Sequence, residues 1–171
     1  MRKLFLTLLL TSGIVFASNL DKLKEKAQAG DVNSIMQLAL KYESGDGVAQ
    51  DIEMAKKYYS QAKELGSEDA KISLSLLELS NNQEIFKHLT NNVSIKSTTN
   101  LNYTISIDDL KELIKKAKKN DKDALFTLAT LYDNGYGDLK ADPQKAMLLY
   151  KKSAKLGNKK AQELLIIKST K

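Results

Sequence analysis

Few residues in this chain have the types and spacing that chemistry needs. Ser60-Gln61-Ala62-Lys63 has the S-x-x-K spacing that sets a serine nucleophile one helical turn before a lysine. The S-D-N and K-T-G elements that accompany that pairing in enzymes are absent, and the tetrad falls inside a helical stretch, so it reads as a chance match. His88 is the only histidine, so neither a catalytic triad nor a multi-histidine metal site can be assembled. The absence of cysteine excludes disulfides, thiol catalysis and cysteine-ligated metals together. Asp46 and Asp51 flank a glycine turn without the oxygen ladder of a calcium loop, and they read as turn and cap residues. The pairs Lys115-Lys116 and Lys118-Lys119 read as a solvated helix face. No catalytic residue, cofactor or metal is expected.

What positions these residues is a repeat. DVNSIMQLALKYESGDGVAQDIEMAKKYYSQAKELG, from Asp31 to Gly66, reads as a helix, a tight Gly-x-Gly turn and a second helix. From Asp121 to Gly157 the same pattern returns as DKDALFTLATLYDNGYGDLKADPQKAMLLYKKSAKLG, with one extra residue in the turn. Ser34, Leu38, Ala39, Tyr42, Gly45, Gly47, Asp51, Ala55, Tyr59 and Gly66 overlie Ala124, Leu128, Ala129, Tyr132, Gly135, Gly137, Asp142, Ala146, Tyr150 and Gly157. Self-similarity at this period signals a solenoid.

Each shared position has a mechanical reason. Gly45 and Gly135 fall where a helix ends in a left-handed C′ residue. Asp51 and Asp142 are placed to accept orphan backbone N–H groups as N-caps, and Pro143 then takes the first helical position. Ala39, Ala55, Ala129 and Ala146 are small where two helices approach, and Tyr42 and Tyr132 fill the gaps beside them.

The pattern A-x3-L-A-x2-Y-x2-G-x-G-x(4–5)-D-x3-A-x3-Y-x6-G strongly resembles the Sel-1-like repeat family, relatives of the tetratricopeptide repeats. The first unit departs from it with Ser34 in place of a small Ala. The resemblance implies an all-α fold, a right-handed superhelical solenoid of antiparallel helix pairs with a concave inner face. It implies no particular activity.

A chain of 171 residues has room for one domain with a real core, and 42% hydrophobic and 28% charged residues are ordinary for a soluble protein. Formal charge is +6, or +4 without Arg2 and Lys3, too mild a bias to argue for nucleic acid. MRKLFLTLLLTSGIVFA, residues 1–17, has two basic residues, a short apolar run and small residues near its end. It reads as a secretory signal peptide cleaved before Ser18, which leaves no stable membrane anchor and places the mature protein in the periplasm or outside the cell.

The chain then divides into a half-repeat helix at 18–30, a first repeat at 31–66 and a second at 67–120. A third follows at 121–157, and a capping helix occupies 158–171, about seven helices in all. Ala70 lies 36 residues after Ser34, in register. Ala124 lies 54 after Ala70, which is one period plus 18, so the second repeat carries an insertion near 81–106 with partly alternating apolar residues. Leu110, Leu113 and Ala117 repeat the spacing of Leu20, Leu23 and Ala27, and Asn120 stands in for the closing glycine.

Carrying over the tetratricopeptide phase puts Asn33, Met36, Leu40 and Glu43 on the concave face of the first unit. The same offsets give Asp69, Ile72, Leu76 and Leu79 in the second, and Asp123, Phe126, Thr130 and Asp133 in the third. Met36, Leu40, Ile72, Leu76, Leu79 and Phe126 are thus either partner-binding or packed. The expected partner is a protein or peptide in the periplasm, with oligomeric state open. Two alternatives stand beside this scaffold reading. Cysteine-rich secreted relatives suggest a penicillin-binding or β-lactam-hydrolysing enzyme, although their bridging cysteines are missing here. Other relatives suggest an immunity protein against a cell-envelope effector, with the insertion as its contact.

Overall fold

The computed structural model describes residues 19–83, 105–137 and 139–170. The expected signal peptide, His88 and most of the insertion lie outside them. The described residues form eight helical segments: α1 (19–28), α2 (Val32–Ser44), α3 (Ile52–Glu64), α4 (Glu68–Asn81), α5 (Ile107–Lys118), α6 (Lys122–Asn134), α7 (Pro143–Lys155) and α8 (Lys159–Ser169). The expected half-repeat helix, three helix pairs and capping helix already add up to eight, so the total of about seven is one too few. The chain divides into two compact units, one ending at Leu74 and one beginning at Ser75, a boundary inside α4.

Short polar residues set where the helices start. Asp31, Ser67, Asp121 and Asn158 each accept the backbone N–H three residues on, from Ser34 (2.7 Å), Ala70 (3.1 Å), Ala124 (2.8 Å) and Ala161 (2.9 Å). Those four donating residues are all buried, so the cap and the small inward residue recur together in each first helix. The Asp31 carboxyl is held below its usual range, first by the Ser34 side chain and then by the Ser34 N–H. Asp51 and Asp142 cap the second helices through the N–H groups of Met54 and Lys145, at 2.9 and 3.0 Å. Their own N–H groups donate back to the carbonyls of Tyr42 (2.8 Å) and Tyr132 (2.7 Å). The extra residue of the second turn is therefore absorbed without altering how the turn closes.

Asn120, at φ 61°, is the one non-glycine with positive φ among the described residues, and it occupies the closing-glycine place. Gly45 is left-handed as expected, but Gly135 is not: its φ of 75° comes with ψ 157°, an extended geometry open essentially to glycine. The extra residue lets the chain leave α6 extended and fold back as a Tyr136–Leu139 bridge. A Cβ on Gly135 would meet Ala141 N and Leu139 O at 3.2 Å.

In the first unit, Ile35, Leu38, Ala62, Ala70 and Ala27 form a buried cluster, with Leu20, Leu23, Val32, Met36 and Tyr58 packed around it. Tyr42, expected to fill an alanine gap, is half-buried and stacks on Tyr58 at 5.6 Å. In the second unit α6 packs against α5 and α7, and α7 against α8, so contacts run between chain neighbours as in a repeat protein. There Tyr132 does fill its gap and is buried. On α5 the buried stripe is Leu110, Ile114 and Ala117, with Leu113 only half-buried, because the inward face follows i, i+4, i+7.

Ala55 and Ala146 are fully buried on the second helices of the two repeats. Ala146→Leu is expected to destabilise the second unit by about 1–3 kcal/mol through overpacking. Chemical denaturation followed by circular dichroism measures this, and an unchanged midpoint would mean the two helices have slack.

Tyr136 does something the sequence alone did not announce. Its hydroxyl accepts the Ile105 N–H and donates to the Ile105 carbonyl, both at 3.0 Å, and both residues are buried. The turn with the extra residue thus holds the backbone that enters α5. Tyr136→Phe leaves both backbone groups unpaired and should cost about 1–3 kcal/mol. Faster hydrogen exchange at the Ile105 amide is the local readout.

Candidate functional sites

The six apolar residues expected on a concave face do not share one fate. Ile72, Leu76 and Leu79 are core residues, at 8, 2 and 2% exposure. For these three the packed alternative holds. Met36 is half-buried against the first unit's cluster, and Phe126 is half-buried with its ring 5.5 Å from that of Tyr150. Leu40 alone stands well exposed, at 51%.

The polar residues of the same faces are occupied as well, by tyrosines that sequence reasoning placed without a role. Tyr59 is fully buried and its hydroxyl donates to Glu43 Oε2 at 2.6 Å. At the equivalent place in the other repeat, the Tyr150 hydroxyl lies 3.3 Å from Thr130 Oγ1 and 3.5 Å from Asp133 Oδ2. Lys168 from α8 completes that cluster, 2.7 Å from Asp133 Oδ2 and 5.7 Å above the Tyr150 ring. Burial is the first cause that pushes both phenols above their usual range, with the Glu43 and Asp133 carboxylates adding to it. A signal was present: Glu43 and Asp133 share one register position, as do the two tyrosines. The faces therefore hold each repeat's two helices together.

Ser60 lies half-buried within α3, and Lys63 is exposed in that helix's last turn. Asp46 pairs with Lys41 at 3.0 Å across the turn, and Asp51 caps α3.

Open surface concavities occur elsewhere. In the first unit, a cleft of about 390 Å³ is lined by Lys22, Lys26, Gln37, Lys41 and the cap-bonded Ser34. In the second unit, a cleft of about 380 Å³ lies between α4 and the third repeat's turn, lined by Glu78, Asn82, Tyr132, Asp142 and Lys145. Lys145 balances its charge there, 3.4 Å from Glu78 and 3.8 Å from Asp142, and sits 5.7 Å above the Tyr132 ring. The buried Tyr132 phenol is pushed up, first by desolvation and then by the Glu78 and Asp142 charges. A third concavity, of about 400 Å³, runs along α5 between Ser80, Lys111, Ile114, Lys115, Lys118 and Lys119. These lining groups can bind by ion pairing, hydrogen bonding and apolar contact. Among the described residues there is no cluster of three or more histidine, cysteine or carboxylate side chains arranged to hold a metal ion. No helix among the described residues is long and apolar enough to cross a membrane.

Capped helix pairs, repeated in register and packed neighbour on neighbour, define an all-α helical-repeat protein. The two repeats are Sel1 repeats: the Sel1 repeat family matches residues 32–67 and 122–158. Among solved structures it is similar to a Sel1 repeat protein from Oxalobacter formigenes, at 25% identity over 86% of this chain and 96% of that one, with a TM-score of 0.44. It is also similar to a protective antigen present in uropathogenic Escherichia coli strains that displays an SLR fold. That match is 23% identical and covers 89% of this chain and 31% of that one, with a TM-score of 0.45. No curated protein matches.

Proposed function

We propose that this helical-repeat protein is an exported interaction scaffold that works in the periplasm by binding a protein or peptide partner. The observation that carries the reading is the set of open concavities beside the helix pairs, in each of which long charged side chains stand beside apolar ones. Such side chains adapt to a polypeptide surface, and a repeat scaffold holds them at regular intervals. Residues 1–17 support export through their basic start, apolar run and small residues.

Two measurements test this. Periplasmic fractionation with N-terminal sequencing should return a mature chain beginning at Ser18; a full-length chain retained in the cytoplasm overturns export. Affinity capture with tagged mature protein from the periplasm should return a saturable partner, confirmed by binding with both components purified. A chain that reaches the periplasm and retains nothing there would sink the scaffold reading.

A further inference from the structure

The last two helices hold this chain's net charge. Residues 143–171 contain eight lysines and one glutamate, a net +7 against +6 for the whole chain, so the remainder is close to neutral. Lys145 pairs with Glu78 and Asp142, Lys168 pairs with Asp133, and Lys152 is engaged as well. Lys155, Lys159 and Lys160, around the corner from α7 into α8, are exposed, and none has an ion-pair partner among the described residues. Leu156, Ile166 and Ile167 are 39, 65 and 58% exposed. They are three of the five large apolar residues that stand exposed among the described residues, so apolar surface gathers beside the positive charge. On α8 the two kinds of group share a face. Ala161 is the buried residue of that helix, Ile166 and Ile167 lie on the far side from it, and Lys159 and Lys160 precede the isoleucines by two turns. Glu163 is the one carboxylate on this face. None of these residues lines the concavities described above, so the isoleucines project rather than floor a pocket.

We propose that the outer face of α8, with the corner that leads into it, docks reversibly on an anionic phospholipid surface. The isoleucines enter the boundary between headgroups and acyl chains, and the lysines meet the lipid phosphates. Charge complementarity selects an anionic partner, and long lysine stems let the ammonium groups stay at headgroup level while the apolar side chains go deeper. Two adjacent branched side chains on an open helix surface offer a protein partner no pocket to fill, but a deformable interface buries them. A nucleic acid would use the lysines without the isoleucines, and residues 156–171 contain no aromatic side chain to stack on bases. The docking is peripheral, since no helix among the described residues is long and apolar enough to cross a membrane.

Flotation of mature protein with lipid vesicles is the test. Vesicles of equal phosphatidylglycerol and phosphatidylcholine should bind the protein at least tenfold more tightly than phosphatidylcholine alone, and added salt should weaken the binding. Ile166→Gln/Ile167→Gln and Lys155→Gln/Lys159→Gln/Lys160→Gln should each lose at least tenfold. Leu65→Gln and Lys57→Gln/Lys63→Gln/Lys116→Gln remove the same kinds of group from exposed places elsewhere and should bind as wild type. All four variants should keep the wild-type thermal transition. Equal loss in the two lysine variants, or indifference to the isoleucine change, reduces the effect to general charge attraction and overturns the proposal. Absence of vesicle binding by the wild-type protein overturns it as well. So does binding of an acidic peptide or an oligonucleotide through these residues with none of the vesicles. Flotation requires no captured protein partner, so the scaffold reading and this one fail separately.

Discussion

Leu76→Glu is expected to destabilise the second unit by about 4 kcal/mol or more, whereas Leu40→Glu should stay within about 0.5 kcal/mol of wild type. The two leucines occupy equivalent places in their first helices, and from sequence they belong to one candidate face. Leu76 is 2% exposed, so a glutamate there forfeits the leucine's packing and must either bury a charge or take up a proton. Leu40 is 51% exposed, and its replacement meets water. Urea denaturation of the two single variants measures the difference. Equal, small costs would mean that Leu76 is accessible in solution and restore it as a partner-binding residue. In either case Leu40→Glu is the variant suited to partner-capture experiments, because it changes a surface without changing the fold.

The second large effect is alkaline unfolding driven by buried phenols. Tyr59 in the first unit and Tyr132 and Tyr150 in the second are at most 3% exposed, and desolvation is the leading cause that raises all three. In the unfolded chain a tyrosine loses its proton near pH 10. Above that pH the unfolded state ionises while the folded state holds its protons. The stability these groups contribute is thus fully present below about pH 10 and is lost as pH rises toward the folded values. Each tyrosine lowers stability by up to about 1.4 kcal/mol per pH unit in that window. Tyr59→Phe should flatten the slope for the first unit, and Tyr132→Phe with Tyr150→Phe for the second. Denaturation curves at pH 9, 10 and 11 provide the measurement. A wild-type slope no steeper than that of the variants would show that the phenols ionise without unfolding the protein.

The local grammar of this chain is written in its residue types. Asp51, Asp142 and Pro143 start helices because carboxylates accept orphan N–H groups and proline needs none. Gly45 and Asn120 end segments because they tolerate positive φ. The buried alanines recur because two helices cannot approach over larger side chains. These are interactions within a few residues, or at one repeat period, and a single sequence with two copies exposes them. Tertiary structure decided the rest. Whether Leu76 or Leu40 faces water depends on which neighbouring element covers each, and periodicity assigns a face without saying what lies against it. Gly135 left the expected geometry where the chain folds back as the Tyr136–Leu139 bridge, although Asp142 still closes the turn on Tyr132 as Asp51 does on Tyr42. Tyr59 and Tyr150 reach carboxylates sixteen or more residues away, so only the packed helix pair brings hydroxyl and acceptor together. The α5 lysines look like any solvated helix face until packing sets Ser80 of α4 beside them, 3.2 Å from Lys118 Nζ.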